Sequence, residues 1–357
     1  MIWNQILGVD EQRQLFQQAA RRGRLSHSYL FIGPEGNGKK RFAKVLAQCL
    51  LCEQCNDDQL DACGVCSACK MMQAGSHPDF FQVLLPEGKR VLPIKLITGT
   101  KEQRGRAGLC YELSLKPIAG HRKVALIDDA DMMNQESANA LLKTLEEPPP
   151  HSYLFLIASH TDALLPTIRS RCQQIRFHLL PDEIITQLVL QQDIASNANE
   201  AAEMARLANG SVQLARQLAD PELRNLKNVL YAQIVLHPFN SLMTSQLVKE
   251  ALDEIAKSGP RQRQAAIWAV RYLAQFFHQI IRAVVSPAED TTLPGARRFI
   301  QQLEWTLNEV ETSMQLFDRT TRAEQQLERF MSVPLCLDGL FDELGRIMRG
   351  RNAFVSR

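Results

Sequence analysis

The stretch Lys123-Val-Ala-Leu-Ile-Asp128-Asp129-Ala-Asp131 decides the fold, and the run Asn139-Ala-Leu-Leu-Lys-Thr-Leu-Glu-Glu147 extends it. From Lys123 to Ile127 the residues are mostly apolar and suited to extended backbone, which predicts a buried central strand. Such a strand delivers Asp128 and Asp129 at its carboxyl end, the edge of an open α/β sheet where ligand crevices lie. A helical run follows, and Pro148, Pro149 and Pro150 stop it, because proline lacks the N–H that would continue the ladder.

Upstream, Ser28-Tyr-Leu-Phe-Ile32 predicts a second apolar strand, leading into Gly33-Pro-Glu-Gly36-Asn-Gly38-Lys39-Lys40 and a helix over 41–51. Strand, glycine loop and helix in that order are the context of a phosphate-binding loop. Glycines let backbone N–H groups approach phosphates, the helix N-terminus favours anions, and Lys39 is placed to meet the β and γ oxygens. The next position departs from the pattern. A working loop has Ser or Thr there to ligate Mg²⁺, whereas Lys40 brings a positive charge and no oxygen. Magnesium-dependent hydrolysis is therefore not expected, although Gly36, Gly38, Lys39 and Asp128 leave room for nucleotide binding. With its paired acids and proline-stopped helix, the opening stretch resembles the Walker B region of a nucleotide-binding ATPase.

Cys52-x2-Cys55-x7-Cys63-x2-Cys66-x2-Cys69 is the second signal. Two-residue spacers let neighbouring thiolates converge on a tetrahedral Zn²⁺, and Gly64 suits the tight turn between Cys63 and Cys66. Five candidates compete for four places. Cys52, Cys63, Cys66 and Cys69 are favoured, with Cys55 as the substitute for Cys52. An all-cysteine set predicts structural rather than catalytic zinc. The polar connection 56–61 predicts an insert that projects from the surface. His77, eight residues past Cys69 and followed by Pro78, reads as a turn histidine rather than a ligand.

Further strands are expected at 80–85, 152–158 and 174–177, with a short amphipathic helix over 5–22. From Pro181 onward the pattern is helical. A small domain over 182–220 turns at Asn209-Gly210, and a larger one includes a helix over 261–285. That helix carries Ile267, Val270, Ala274, Phe277, Ile281 and Val284 on one face, widened by Leu273, Phe276 and Ile280. Phe276 and Phe277 are read as packing residues. The predicted class is α/β plus all-α: a parallel-sheet P-loop domain at 1–178 with the zinc module at 52–69, helical domains at 179–222 and 223–357.

At 357 residues, with 45% hydrophobic and 22% charged, the composition is that of an ordinary globular protein. A net charge of +2 makes no overall case for nucleic acid. A local patch from Lys95, Lys101, Arg104 and Arg106 reads more simply as a solvated face. No apolar run is long enough to span a membrane. The N-terminus does not read as a signal peptide. Nine cysteines without such a signal predict a cytoplasmic protein with metal-bound or free thiols.

Taken together, these pieces resemble the bacterial clamp-loader family of the AAA+ class, and within it the delta-prime branch of DNA polymerase III subunits. The carriers are the Ser28-Tyr-Leu-Phe strand before the glycine loop, the cysteine insert, Asn139-Ala-Leu-Leu-Lys-Thr-Leu-Glu-Glu-Pro-Pro149 and Ser170-Arg171-Cys172. The resemblance covers residues 1–220 well and the remaining helices only in length and character. It implies a helical lid at 179–222 and a C-terminal collar at 223–357. It also implies that Arg171 reaches a neighbouring subunit's ATP, with Arg169 as the fallback. The family's ATPase subunits carry a hydroxyl at position 40, glutamate at 129 and arginine at 213, where this chain has Lys40, Asp129 and Gln213. Three departures together imply a subunit that does not hydrolyse ATP. The implied partners are gamma/tau ATPase subunits and the delta subunit in a hetero-pentamer, and through them the sliding clamp and primed DNA. A gamma/tau-type motor is the alternative.

Overall fold

The computed structural model of the chain describes residues 2–55, 59–86, 88–89, 91–100, 102–103, 105–285, 299 and 309–349. Lys101 and Arg104 of the basic stretch, and 56–58 of the cysteine insert, lie outside these residues. The chain forms two compact units, Met1–Ala215 and Arg216–Arg357.

The first unit is built on five parallel strands: β1 (Ser28–Ile32), β2 (Phe80–Val83), β3 (Lys123–Ile127), β4 (Ser152–Ala158) and β5 (Gln173–Arg176). Their order is β2-β3-β4-β1-β5. Ile32 pairs with Ala158 on one side and Arg176 on the other, so β1 lies inside the sheet. All five residues of β1 and of β3 are buried, as expected of parallel strands covered on both faces.

Alternation along β1 separates two cores. Tyr29 and Phe31 join Phe16, Phe42, Phe155 and Phe177 on one face, while Leu30 and Ile32 join Ala125, Ile127, Leu141 and Leu156 on the other. The aromatic face is packed edge-on: the Phe31 ring lies 5.7 Å from Phe42, and Phe42 lies 5.2 Å from Phe177. These tilted contacts add to the area they bury.

Helix α1 (Asp10–Arg21) lays Phe16 on that aromatic layer. It starts later than the expected 5–22, because Gly8 adopts φ +77° and separates the helix from a 3-10 turn at Ile2–Gln5. Helix α2 (Lys39–Leu51) follows the glycine loop, and α3 (Ser67–Ala74) closes the cysteine insert. Beyond β2 come α4 (Ile94–Thr98) and α5 (Leu109–Ser114). Helix α6 (Gln135–Glu146) is capped by the Asn134 side chain, which accepts the Ser137 N–H at 2.9 Å. Next are α7 (Pro166–Arg169), α8 (Asp182–Gln191), α9 (Ala198–Ala208) and α10 (Val212–Ala219). The predicted turn before α10 is present, with Asn209 at φ +45° and Gly210 at φ +75°.

The second unit is helical in its described residues: α11 (Pro221–Ile234), α12 (Ser241–Ile255), α13 (Pro260–Val285), α14 (Glu309–Glu328) and α15 (Val333–Met348). The expected stripe on α13 is core: Val270, Leu273, Phe276, Phe277 and Ile280 are fully buried. Phe276 packs 5.2 Å from Tyr231 and 5.3 Å from Phe299, which identifies it as a packing residue. The Val284 side chain lies outside the described residues. Arg271 ties α13 to α14 through Glu324 at 2.6 Å. No helix among the described residues is long and apolar enough to cross a membrane.

Candidate functional site

Parallel strands end at one edge of the sheet, so the sequence after each strand is gathered there. Gly33 follows β1, Asp128 follows β3, Ser159 follows β4 and Phe177 follows β5. The glycine loop keeps its backbone by close approach: a Cβ on Gly33 would lie 2.2 Å from the Phe177 carbonyl oxygen. Gly36 and Gly38 take φ of +77° and +93°, where side chains are strained. Asn37 is buried and donates from Nδ2 to the Phe177 and His178 carbonyls at 3.2 and 3.3 Å, clasping the loop to the end of β5.

Lys39 is 5% exposed and its ammonium is taken up by the loop itself. Nζ donates to the Gly33 and Pro34 carbonyls at 2.5 and 2.6 Å, and to Asn37 Oδ1 at 3.3 Å. Burial holds this ammonium below the ordinary lysine range, with Glu35 and the three acids opposing the shift. Lys40 reaches across to Asp128, Nζ to Oδ2 at 2.7 Å. Its side chain is 47% exposed, so the pair stabilises the fold by about 1 kcal/mol or less. Its consequence is positional: an ammonium sits on the Asp128 carboxylate at the end of β3.

Asp129 occupies φ +51°, and its carboxyl is pushed up to about 6 by burial first, then by Asp128, Asp131 and Glu35, against the pull of Lys40. Asp131 is a site residue to which sequence reasoning gave no role. Its Oδ2 accepts the Ser159 and His160 backbone N–H groups at 2.9 and 3.1 Å, locking the end of β4 to the acid stretch. The third acid of Asp-Asp-Ala-Asp was the available signal. Asn37 was missed in the same way, as a polar residue inside a glycine loop.

Residues 211–213 also meet the loop. The Val212 N–H donates to the Gly36 carbonyl at 3.0 Å. A Cβ on Gly36 would come within 2.0 Å of Ser211 Oγ and 2.9 Å of Gln213 Cβ. Gln213 therefore lies directly against the glycine loop.

Arg171 is away from this edge, at the amino end of β5. Its Nη2 pairs with Glu146 Oε1 at 2.6 Å, and Nη1 donates to the Thr167 carbonyl at 3.0 Å. The Arg171 carbonyl accepts from Ser28 Oγ at 2.8 Å, while Cys172 beside it is buried. Backbone and neighbour are thus fixed while the guanidinium remains partly exposed. Arg169 stands 3.9 Å from Asp162.

Cys52, Cys63, Cys66 and Cys69 bring their Sγ atoms within 4.8 Å of one another. Individual separations are 3.7 Å for Cys52–Cys63, 3.8 Å for Cys52–Cys66 and 4.0 Å for Cys63–Cys69. Four thiolates bound at ~2.3 Å to a tetrahedral ion would be separated by about 3.8 Å, so the set fits one metal. Backbone N–H groups of Val65 and Cys66 point at the Cys63 sulfur and lower its thiol to about 7. Gly64 supplies the turn at φ +76°. Cys55 stands outside the set, accepting the Asp61 N–H at 3.1 Å. His77 is also outside: its Nδ1 accepts the Asp79 N–H at 3.1 Å, a turn contact.

The expectation of a projecting insert is corrected. Leu60, Ala62, Cys66, Ala68 and Cys69 belong to the same core as Phe42 and Leu50, and Trp3 Nε1 donates to the Leu60 carbonyl at 2.7 Å. The polar connection hides an apolar underside that docks on α2.

Two outcomes follow. Metal analysis should give one ion per chain, zinc by the preference of four thiolates; Cys63→Ser should lose it and Cys55→Ser should keep it. Loss of the ion in Cys55→Ser, or a metal-free folded protein, would refute the ligand set. Asp129→Asn tests the acid cluster. The folded chain binds the Asp129 proton more tightly than the unfolded chain does, since its value stands near 6 against an ordinary 3.8. The ionised carboxylate therefore weakens the fold above about pH 6, and the penalty fades as pH falls towards 3.8. Asp129→Asn should raise the denaturant midpoint at pH 8, with a smaller gain at pH 5. An equal midpoint at pH 8 would show that the acids do not strain one another.

With this geometry in place, comparison with known proteins places the chain. The family described as "DNA polymerase III, delta subunit" matches residues 8–181. DNA polymerase III subunit delta' of Pseudomonas aeruginosa is 35% identical over 250 residues, covering 70% of this chain and 71% of that one. Subunit delta' of Escherichia coli is 32% identical and covers 59% of each chain. Subunit tau of Escherichia coli is 30% identical over 74% of this chain but only 41% of its own length. The chain belongs to the clamp-loader family of DNA polymerase III subunits.

Proposed function

We propose that this chain is a clamp-loader subunit of the delta-prime type, serving the chemistry of a neighbouring ATPase subunit rather than its own. The observation that carries the reading is the Lys40–Asp128 ion pair at 2.7 Å. Magnesium in a phosphate loop is held by a hydroxyl after the loop lysine, with an acid from the neighbouring strand. Here a cation already satisfies that acid, so hydrolysis in this subunit is disfavoured. Lys39 turned into its own loop and Gln213 against Gly36 support the same reading.

In this proposal Arg171 acts in trans on a neighbour's ATP. A guanidinium is permanently charged and planar, suited to charge that builds on a transferring γ-phosphate. The Arg171 backbone carbonyl is held by the Ser28 hydroxyl and its guanidinium only by partly exposed contacts, so it can exchange Glu146 for a phosphate. The partners are gamma/tau ATPase subunits and delta in a hetero-pentamer, acting through the complex on the sliding clamp and primed DNA. The sheet unit takes the part of an AAA+ module, residues 179–222 that of its lid, residues 223–357 that of the collar, and the four-cysteine site that of structural zinc. A gamma/tau-type motor is the rival reading, favoured by the intact glycines, Lys39 and the similarity to tau.

In a reconstituted loader, Arg171→Ala is expected to lower DNA-stimulated ATPase roughly 10-fold or more while leaving assembly intact. Unchanged turnover would remove the finger role. Turnover lost together with assembly would make Arg171 an interface residue.

A further inference from the structure

A cavity of about 310 Å³ opens between α2, α3 and β2, within the usual size range of roughly 300–1,000 Å³ for small-molecule sites. Arg41 and Lys44 stand at its rim, about one turn apart on α2 and both exposed. Neither has an ion-pair partner among the described residues. Among the described residues, no aspartate or glutamate lines the cavity. Gln82, on β2, has a buried Nε2 with no hydrogen-bond acceptor, a state that native proteins seldom leave uncompensated. Gln48 is buried beside it, with Nε2 turned to the Cys69 carbonyl at 3.5 Å. Phe80 and Met72 supply apolar wall.

A cavity that offers two free cations and an orphaned N–H, with no carboxylate to answer them, selects for an oxyanion. The aromatic and thioether surface beside these donors selects for an apolar body on the same ligand. We propose that this cavity binds a small oxyanion, a phosphate monoester or a carboxylate, that carries an apolar group. The oxyanion meets Arg41, Lys44 and Gln82 Nε2, and the apolar group lies against Phe80 and Met72. No residue of the Gly33–Lys40 loop lines the cavity, so the site is separate from the phosphate loop. Helix α3 belongs to the cysteine insert, which gives that module a second role: it forms one wall of a ligand site.

Calorimetric titration of the full chain with phenyl phosphate and with phenylacetate tests this, the two probes separating phosphate from carboxylate. Saturable 1:1 binding of at least one probe is expected, weakened roughly tenfold or more in Arg41→Ala/Lys44→Ala and unchanged in Lys39→Ala. Inorganic phosphate, lacking the apolar group, should bind more weakly than phenyl phosphate if the latter is the ligand. Gln82→Leu, which keeps the shape of the wall, should weaken binding without lowering the thermal midpoint. The proposal is overturned by absence of saturable binding with both probes, or by binding that survives Arg41→Ala/Lys44→Ala. Loss in Lys39→Ala would overturn it as well, by assigning the anion to the phosphate loop.

Discussion

The ammonium of Lys40 rests 2.7 Å from the carboxylate of Asp128, and much at the carboxyl edge of the sheet is arranged around that contact. It joins the start of α2 to the end of β3 across the end of β4. Beside it, Asp129 is raised by burial first and then by crowding with Asp128 and Asp131. A divalent ion would relieve that crowding only where the acids are free to turn towards it. Lys40 is tethered to α2, relieves part of the crowding, and leaves Asp128 already paired. The contact is weak as a source of stability, and its effect is to leave Asp128 paired.

Around it the fold is held by ordinary forces. Two fully covered faces of a parallel sheet fix the strand ends, and short backbone contacts fix the loops that leave them. Asn37 holds the glycine loop to β5, Asp131 holds the end of β4, and Val212 reaches the Gly36 carbonyl. On the opposite edge Ser28 anchors the Arg171 backbone and leaves the guanidinium on exposed contacts. One edge is thus closed upon itself, while the other carries an arginine whose guanidinium is paired with Glu146.

The central strands, the glycine loop and the cysteine cluster were legible in the sequence, because their signals are local. A mostly apolar strand ending in paired acids, or a glycine loop between strand and helix, carries its own backbone logic. The cysteine spacing likewise marked the cluster, with Cys55 left as the substitute for Cys52, and the four sulfurs that converge are those of Cys52, Cys63, Cys66 and Cys69. What was not legible depends on distant partners. Nothing near Asp131 in sequence reveals the Ser159 and His160 amides, and nothing near Leu60 reveals Trp3. The insert was misjudged because its polar connection was visible, while the burial of Leu60 and Ala62 depends on a surface made by α2. The start of α1 was misplaced because helical spacing ran on through Gly8, whose positive φ breaks the helix.

In the proposed function, Lys40 takes the place of the metal. The most direct test of this is an ATP titration of the isolated chain with and without Mg²⁺, followed by a hydrolysis assay under both conditions. The account predicts that Mg²⁺ changes neither the affinity nor the turnover, which stays at background. Binding strengthened by Mg²⁺, or turnover that disappears in Lys39→Ala, would contradict it and make this subunit a motor in its own right.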